Sequence, residues 1–341
     1  MSGINFVKIP FAEVLAEINS NSNREASNTS FLEPTNFNTS FHTQDEAPDV
    51  PSQASERPCR FKRWLPLILR NRGLPPTAVQ TVTLSRAQAR LMLEVVEASL
   101  PSGTGKINRM YREDVAEVLA PVFASSLQFP PEGLFMRMEA CSAKDGMGKV
   151  GGLHSIDEIF RRLCTSYRAR NALFEELEAN TATFEFFFLP FDDCMRSARE
   201  YRVFCPPVSP SHSNKADPQP QRASRVAAIS QYRWYEPWIF ADLPETEARE
   251  IVHKVFHGAE IICKEIVNET DPKDEMDQLL LTQGLTFDLL LDETDGVVQL
   301  VELNVFGIRS ACGSCLFHWV KDRRVLEGVG TDGTVEFRVT C

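Results

Sequence analysis

From Cys59 onward, apolar positions recur at spacings that switch between strand-like and helical periods, and each switch marks an element. Phe61, Trp64, Leu65, Pro66, Leu67 and Ile68 form an apolar opening, and Val79 to Leu84 reads as a strand. Ser85 can cap a predicted helix reaching about Leu100, with Ala89, Met92, Val96 and Leu100 on one face. A strand predicted from Leu134 to Ala140 feeds the loop CSAKDGMGKVGG. Behind it, Ser155 and Glu158 have capping-box spacing and open a helix that turns Ile159, Phe160 and Leu163 inward. The run TFEFFFL, from Thr183 to Leu189, predicts a buried strand that Pro190 ends. Strands predicted at Glu200 to Phe204 and Arg225 to Ser230 flank a polar, proline-rich insert at 206–224, a surface excursion. Pro244 suits a first helical turn, followed by the core-facing stripe Ile251, Val255, Ala259, Ile262 and Ile266. Near the end, Thr334 to Val339 reads as a strand added at a sheet edge.

One stretch carries hard oxygen donors where that pattern calls for apolar residues. Phe287 to Leu291 and Val298 to Gly307 read as two strands joined by an Asp-Gly turn. Asp288 lies in the first, while Glu302 and Asn304, two apart in the second, share a face. Carboxylates on an apolar sheet cost several kcal/mol unless compensated, and a divalent cation such as Mg²⁺ held against nucleotide phosphates would compensate them. The competing interpretation is a strand pair with a solvated polar face. On the metal reading, Asp288→Ala or Asn304→Ala is expected to abolish nucleotide binding while leaving the fold intact.

Composition narrows the classes. The 341 residues suffice for one large domain or two modest ones, and a net charge of −11 argues against sequence-independent binding to nucleic acid. No apolar run approaches the ~18 residues of a membrane span, and no leader is evident, so a cytoplasmic location is expected. Nine cysteines, an odd number, suit free thiols in a reducing compartment, and the Cys312/Cys315 pair is either two small thiols beside a strand end or a redox or metal element. Residues 1–55, rich in Asn, Ser, Thr, Glu and Pro, read as a disordered tail, apart from an apolar patch from Ile4 to Ile18 able to fold as a helix on a partner. The expected organisation is this tail, an N-terminal lobe at 56–190 with a nucleotide loop, a C-terminal lobe at 191–325, and a terminal hairpin or tail at 326–341. Irregular alternation with several antiparallel pairs makes the fold class α+β.

Four further segments offer groups for a nucleotide. Arg137 and Lys144 bracket the start of the glycine-bearing loop, which either approaches phosphates or is an exposed turn; it lacks P-loop spacing. The strand at 184–190, with Phe188 and Leu189, is core or an adenine-binding hinge. Glu200 and Arg202 alternate on one face, as a phosphate clamp or a structural ion pair. Arg233 reaches phosphates or stacks on an aromatic ring.

In order, CRFKRWLPLI, FMRMEACSAKD, LHSIDEIF, EYRVF, AAISQY, VQLVELNVFG and SCLFHW resemble the cell division cycle protein 123 family over about Cys59 to Trp319. The resemblance implies an ATP-grasp-like, two-lobed fold with mixed and antiparallel sheets and a nucleotide cleft between the lobes. It implies that Asp288, Glu302 and Asn304 hold Mg²⁺, that Lys144 and Arg202 contact ATP, and that the 184–190 segment is the adenine hinge. Arg137 stands where the family has Lys, Glu302 where it has Asp, and Tyr232-Arg233 where it has Arg-Asp. The implied function is assembly of eukaryotic translation initiation factor 2 through its γ subunit. The rival is an ATP-grasp ligase joining a carboxylate to an amine through an acyl phosphate.

Overall fold

The computed structural model describes residues 3–27, 35–50, 53–148, 151–207, 225–292 and 294–341, so the insert beyond residue 207 lies outside the described residues. Nine strands are found among them: β1 (Ile4–Ile9), β2 (Gln80–Ser85), β3 (Leu134–Met138), β4 (Thr183–Pro190), β5 (Glu200–Cys205), β6 (Ala228–Gln231), β7 (Leu285–Leu291), β8 (Val298–Val305) and β9 (Val335–Thr340). They divide between two compact units, Gly73–Asp193 and the combination of Met1–Arg72 with Cys194–Cys341. The expected α+β class holds, with one mixed and one antiparallel sheet.

The smaller unit is built on the antiparallel sheet β2-β4-β3. Its core gathers Val82, Met92, Phe123, Phe160, Phe186 and Phe188, all buried. Ser85 caps the helix Arg86–Ser99 with a complete capping box, since Gln88 answers the Ser85 N–H. At the helix Ile156–Leu163 only half of the expected box forms. Ser155 accepts from the Glu158 N–H at 3.3 Å, whereas Glu158 accepts from the His154 N–H at 2.7 Å.

In the larger unit a six-stranded sheet runs β1-β9-β6-β5-β7-β8. β9 pairs parallel with β1 and β6, so the strand expected at an edge is interior. Its edge partner comes from the other end of the chain, Ile4 opposite Val335, a register that no local pattern encodes. The apolar patch from Ile4 to Ile18, expected as a helix on a partner, therefore begins as an edge strand of this sheet, and the Phe6 ring meets Trp238 and Phe337 at 5.9 and 6.2 Å. A helix, Phe11–Ser27, follows, its first N–H donating to the Cys341 carbonyl. Residues 35–50 form a strap held largely by hydrogen bonds, including Phe41 N–H to the Ser310 carbonyl and His42 N–H to that of Ile308. Disorder was inferred from low apolar content, and polar contacts to distant partners leave no apolar period.

The helix Glu245–Asn268 buries Val252, Val255, Ala259, Ile262 and Ile266, close to the predicted stripe. At Gly258 a side chain would meet Val298 of β8 at 2.5 Å, so glycine permits that approach. The apolar opening folds as the helix Phe61–Asn71, and its end covers the outer edge of β8: Asn71 accepts from the Leu300 N–H and Arg72 donates to the Leu300 carbonyl. Among the described residues, no helix is long and apolar enough to cross a membrane.

Candidate functional site

β7 and β8 pair with Asp288 opposite Glu302 and Thr286 opposite Asn304. The register then slips, Leu289 facing Leu300, which leaves Val301 as a bulge. Without the extra residue, Leu300 would share a face with Glu302. The bulge turns Leu300 to the apolar side with Leu289 and keeps Glu302 and Asn304 beside Asp288. The three oxygen-bearing side chains expected to converge do so.

Arg202, directly opposite Asp288 on β5, completes the cluster. Its Nε and Nη2 donate to the two Asp288 oxygens at 2.8 and 2.7 Å, a bidentate pair. Its Nη1 donates to the Gly313 carbonyl at 2.7 Å, and the guanidinium lies 5.1 Å from the Tyr232 ring centre. Asn304 Nδ2 donates to Asp288 Oδ2 at 3.2 Å. Both Arg202 and Asp288 are buried, at 6% and 1% exposure. Burial raises the Asp288 pKa, Arg202 opposes that rise, and the Glu302 carboxyl adds to it. The compensation sought from a cation is thus partly supplied by a guanidinium.

Arg202 also belongs to a polar row crossing the sheet. Register places Glu302, Asp288, Arg202, Ser230 and Arg338 side by side on β8, β7, β5, β6 and β9. The segment 307–319 lies over this row, giving the Gly313 carbonyl to Arg202, the Leu316 N–H to Ser230 Oγ and the Leu316 carbonyl to Arg338. Arg338 also pairs with Asp322 and stacks 4.1 Å from the Phe317 ring centre. Sequence reasoning missed Gly313 and Arg338, and placed Ser230 only as a polar group at a strand end, because it could not align β6 and β9 with the acidic hairpin. The SCLFHW motif was the available signal.

The remaining predicted residues are distributed as follows. Glu200, half-buried, shares the Arg202 face two residues earlier. Arg233 pairs with Glu236 at 2.8 Å. In the smaller unit, Arg137 is buried on β3 and Lys144 is exposed in the loop. Asp145 ties that loop down, accepting from Ser166 Oγ and the Arg168 N–H, and the Met147 N–H donates to Thr165. Phe188 is core in a central strand, paired with both Gln80 and Met136. Most of the proposed hinge is therefore occupied by β-ladder bonding; Leu189 and Pro190 pair with β3 alone.

Cys312 and Cys315 are buried thiols, and Cys312 Sγ lies 3.2 Å from Thr286 Oγ1. Burial pushes the Cys312 thiol up, against the pull of Arg202. Among the described residues, no cluster of three or more His, Cys, Asp or Glu side chains is arranged to hold a metal, so a cation on the hairpin would need the Asn304 amide oxygen as its third ligand.

The segment's far end has its own pH dependence. His318 Nδ1 accepts from the N–H groups of Val320 and Lys321, and its ring packs 5.1 Å from that of His42, itself beside Glu46. Burial, Lys321 and His42 lower the His318 pKa, and Asp322 opposes them. A base with a depressed folded-state pKa binds its proton more readily when unfolded. Stability from this site is therefore present above about pH 6.5 and lost as pH falls below it. His318→Asn, which keeps an acceptor, is expected to shrink the drop in urea midpoint between pH 7.5 and pH 5; an unchanged drop would assign it elsewhere.

No family model and no curated protein matches the chain. The arrangement of a mixed sheet bearing this hairpin and a separate antiparallel sheet is the mixed α+β fold of cell division cycle protein 123. Two solved structures of Cdc123 from Schizosaccharomyces pombe, one C-terminally truncated, each align with a TM-score of 0.50 and 14% identity, covering 88% of this chain and 99% of theirs. The resemblance read from the motifs thus holds in the fold.

Proposed function

We propose that this chain is a divergent, ATP-grasp-like member of the cell division cycle protein 123 family. On this reading it binds ATP with Mg²⁺ through the acidic face of β7 and β8, and assists assembly of eukaryotic translation initiation factor 2 in the cytoplasm through the γ subunit. The observation that carries the nucleotide reading is the convergence of Asp288, Glu302 and Asn304 beside one guanidinium, in a chain with the Cdc123 fold. The partner follows from the motif resemblance.

The donor set suits a hard cation: two carboxylates and an amide oxygen on one face of the hairpin. Asp288, Glu302 and Asn304 Oδ1 would hold Mg²⁺, which when bound neutralises phosphate charge. Arg202 donates to both Asp288 oxygens and Asn304 Nδ2 to one of them, contacts with which a cation on that carboxylate would compete.

Isothermal titration of the full chain with ATP, with and without Mg²⁺, tests it. Asn304→Ala is expected to abolish Mg²⁺·ATP binding and Glu302→Gln to weaken it on the order of tenfold, with thermal midpoints near wild type, because neither empties the core. No binding by the wild type sinks the nucleotide reading. Capture of the γ subunit supports the assembly role, whereas ADP formation that requires an added amino acid would replace it with the ligase.

A further inference from the structure

Arg202 touches two systems at once, the acidic face through Asp288 and the segment 307–319 through the Gly313 carbonyl. That segment in turn holds the N-terminal strap. Asn38 donates its N–H to the Cys315 carbonyl at 2.6 Å and accepts from the Cys315 N–H at 3.2 Å. Asn38 Oδ1 occupies the space that a side chain at residue 313 would need, so the Gly313 backbone and Asn38 are in direct contact. Thr39 exchanges backbone and side-chain bonds with Ser314 and accepts from the Trp319 N–H.

The strap is also bent against its backbone preference. Asn38 and Phe41 have φ of 49° and 51°, in the left-handed region, and the Phe41 ring is 62% exposed. Such conformations persist where surrounding bonds hold them. Farther along, the strap has separate anchors: Arg309 donates to Gln44 and Ala47, Arg323 pairs with Asp49, and Ala47 is buried with Phe306 and Trp319.

We propose that cation occupancy of the acidic face is coupled through Arg202 and Gly313 to residues 38–42 of the strap, so that loading the face loosens their hold. The inference rests on the nucleotide reading above. A divalent cation on Asp288 carries the same sign as the guanidinium already bonded there, and an anionic polyphosphate offers that guanidinium another partner. The guanidinium is a rigid planar fork, so turning Nε and Nη2 away from Asp288 also moves Nη1 off the Gly313 carbonyl. Gly313 then shifts against Asn38, and the left-handed residues relax.

Hydrogen–deuterium exchange of the full chain, with and without Mg²⁺·ATP, reads this directly. Amides of Asn38, Thr39, Phe41 and His42 are expected to exchange severalfold faster in the loaded protein, while 44–50 remain unchanged as an internal control. Coupling is reciprocal, so Asn38→Gly, which weakens the strap without touching the acidic face, is expected to bind Mg²⁺·ATP about fivefold more tightly. Arg202→Lys, a single ammonium unable to bridge both partners, is expected to give fast exchange at 38–42 in either state. If the wild type binds Mg²⁺·ATP while strap exchange and Asn38→Gly affinity stay unchanged, the coupling is overturned and the nucleotide reading stands. If the wild type binds no Mg²⁺·ATP, both fall.

Discussion

Asp288→Ala is expected to lower the stability of the larger unit by about 3–5 kcal/mol as well as to abolish cation binding, because it leaves a buried guanidinium without its carboxylate. The sequence alone suggested that the fold would be indifferent to this change. The bidentate pair overturns that expectation: both partners are buried, and Arg202 has a further bond to Gly313. Asp288→Asn keeps an oxygen for one Arg202 N–H and is expected to be less destabilised while still losing the cation. Urea unfolding followed by tryptophan fluorescence separates the two. An alanine variant within about 1 kcal/mol of wild type would mean that water or another side chain replaces the carboxylate.

Trp319→Ala should be comparably damaging, at about 3–5 kcal/mol, through a different cause. The ring is fully buried, with Phe306 and Phe204 edge-on at 5.0 and 5.5 Å, and Ala47 belongs to the same cluster. Its Nε1 donates to the Cys312 carbonyl at 2.8 Å, and its backbone N–H donates to Thr39 Oγ1. Trp319→Phe retains most of the packing and loses the Nε1 bond, with an expected loss of about 1–3 kcal/mol for the unsatisfied carbonyl. Equal destabilisation by both substitutions would assign the effect to the hydrogen bond rather than to the volume.

The acidic hairpin was legible because strand alternation is a two-residue rule, and Glu302 and Asn304 obey it on one side of the bulge. The helix Glu245–Asn268 and the capped helix after Ser85 were legible for similar reasons, since period and cap are local. The N-terminal segment was not. Its strand gains meaning only beside β9, and its strap is fixed by polar bonds to residues some 270 positions away. Arg202 shows the limit most clearly. Spacing allowed a phosphate clamp or an ion pair with Glu200, but its partner is Asp288, 86 residues later, chosen by the pairing of β5 with β7.

By itself the sequence determined which residues could be strands or helices, which face of the β8 hairpin would carry oxygen donors, and which fold the ordered motifs resembled. Tertiary structure alone decided that β9 is interior, that Arg202 neutralises Asp288, and that the N-terminal strap lies on the segment covering the polar row. Local propensity acts over a few residues. Sheet order and buried charge pairing depend on contacts between chain segments from 86 to more than 300 residues apart, and no local window of sequence contains both partners.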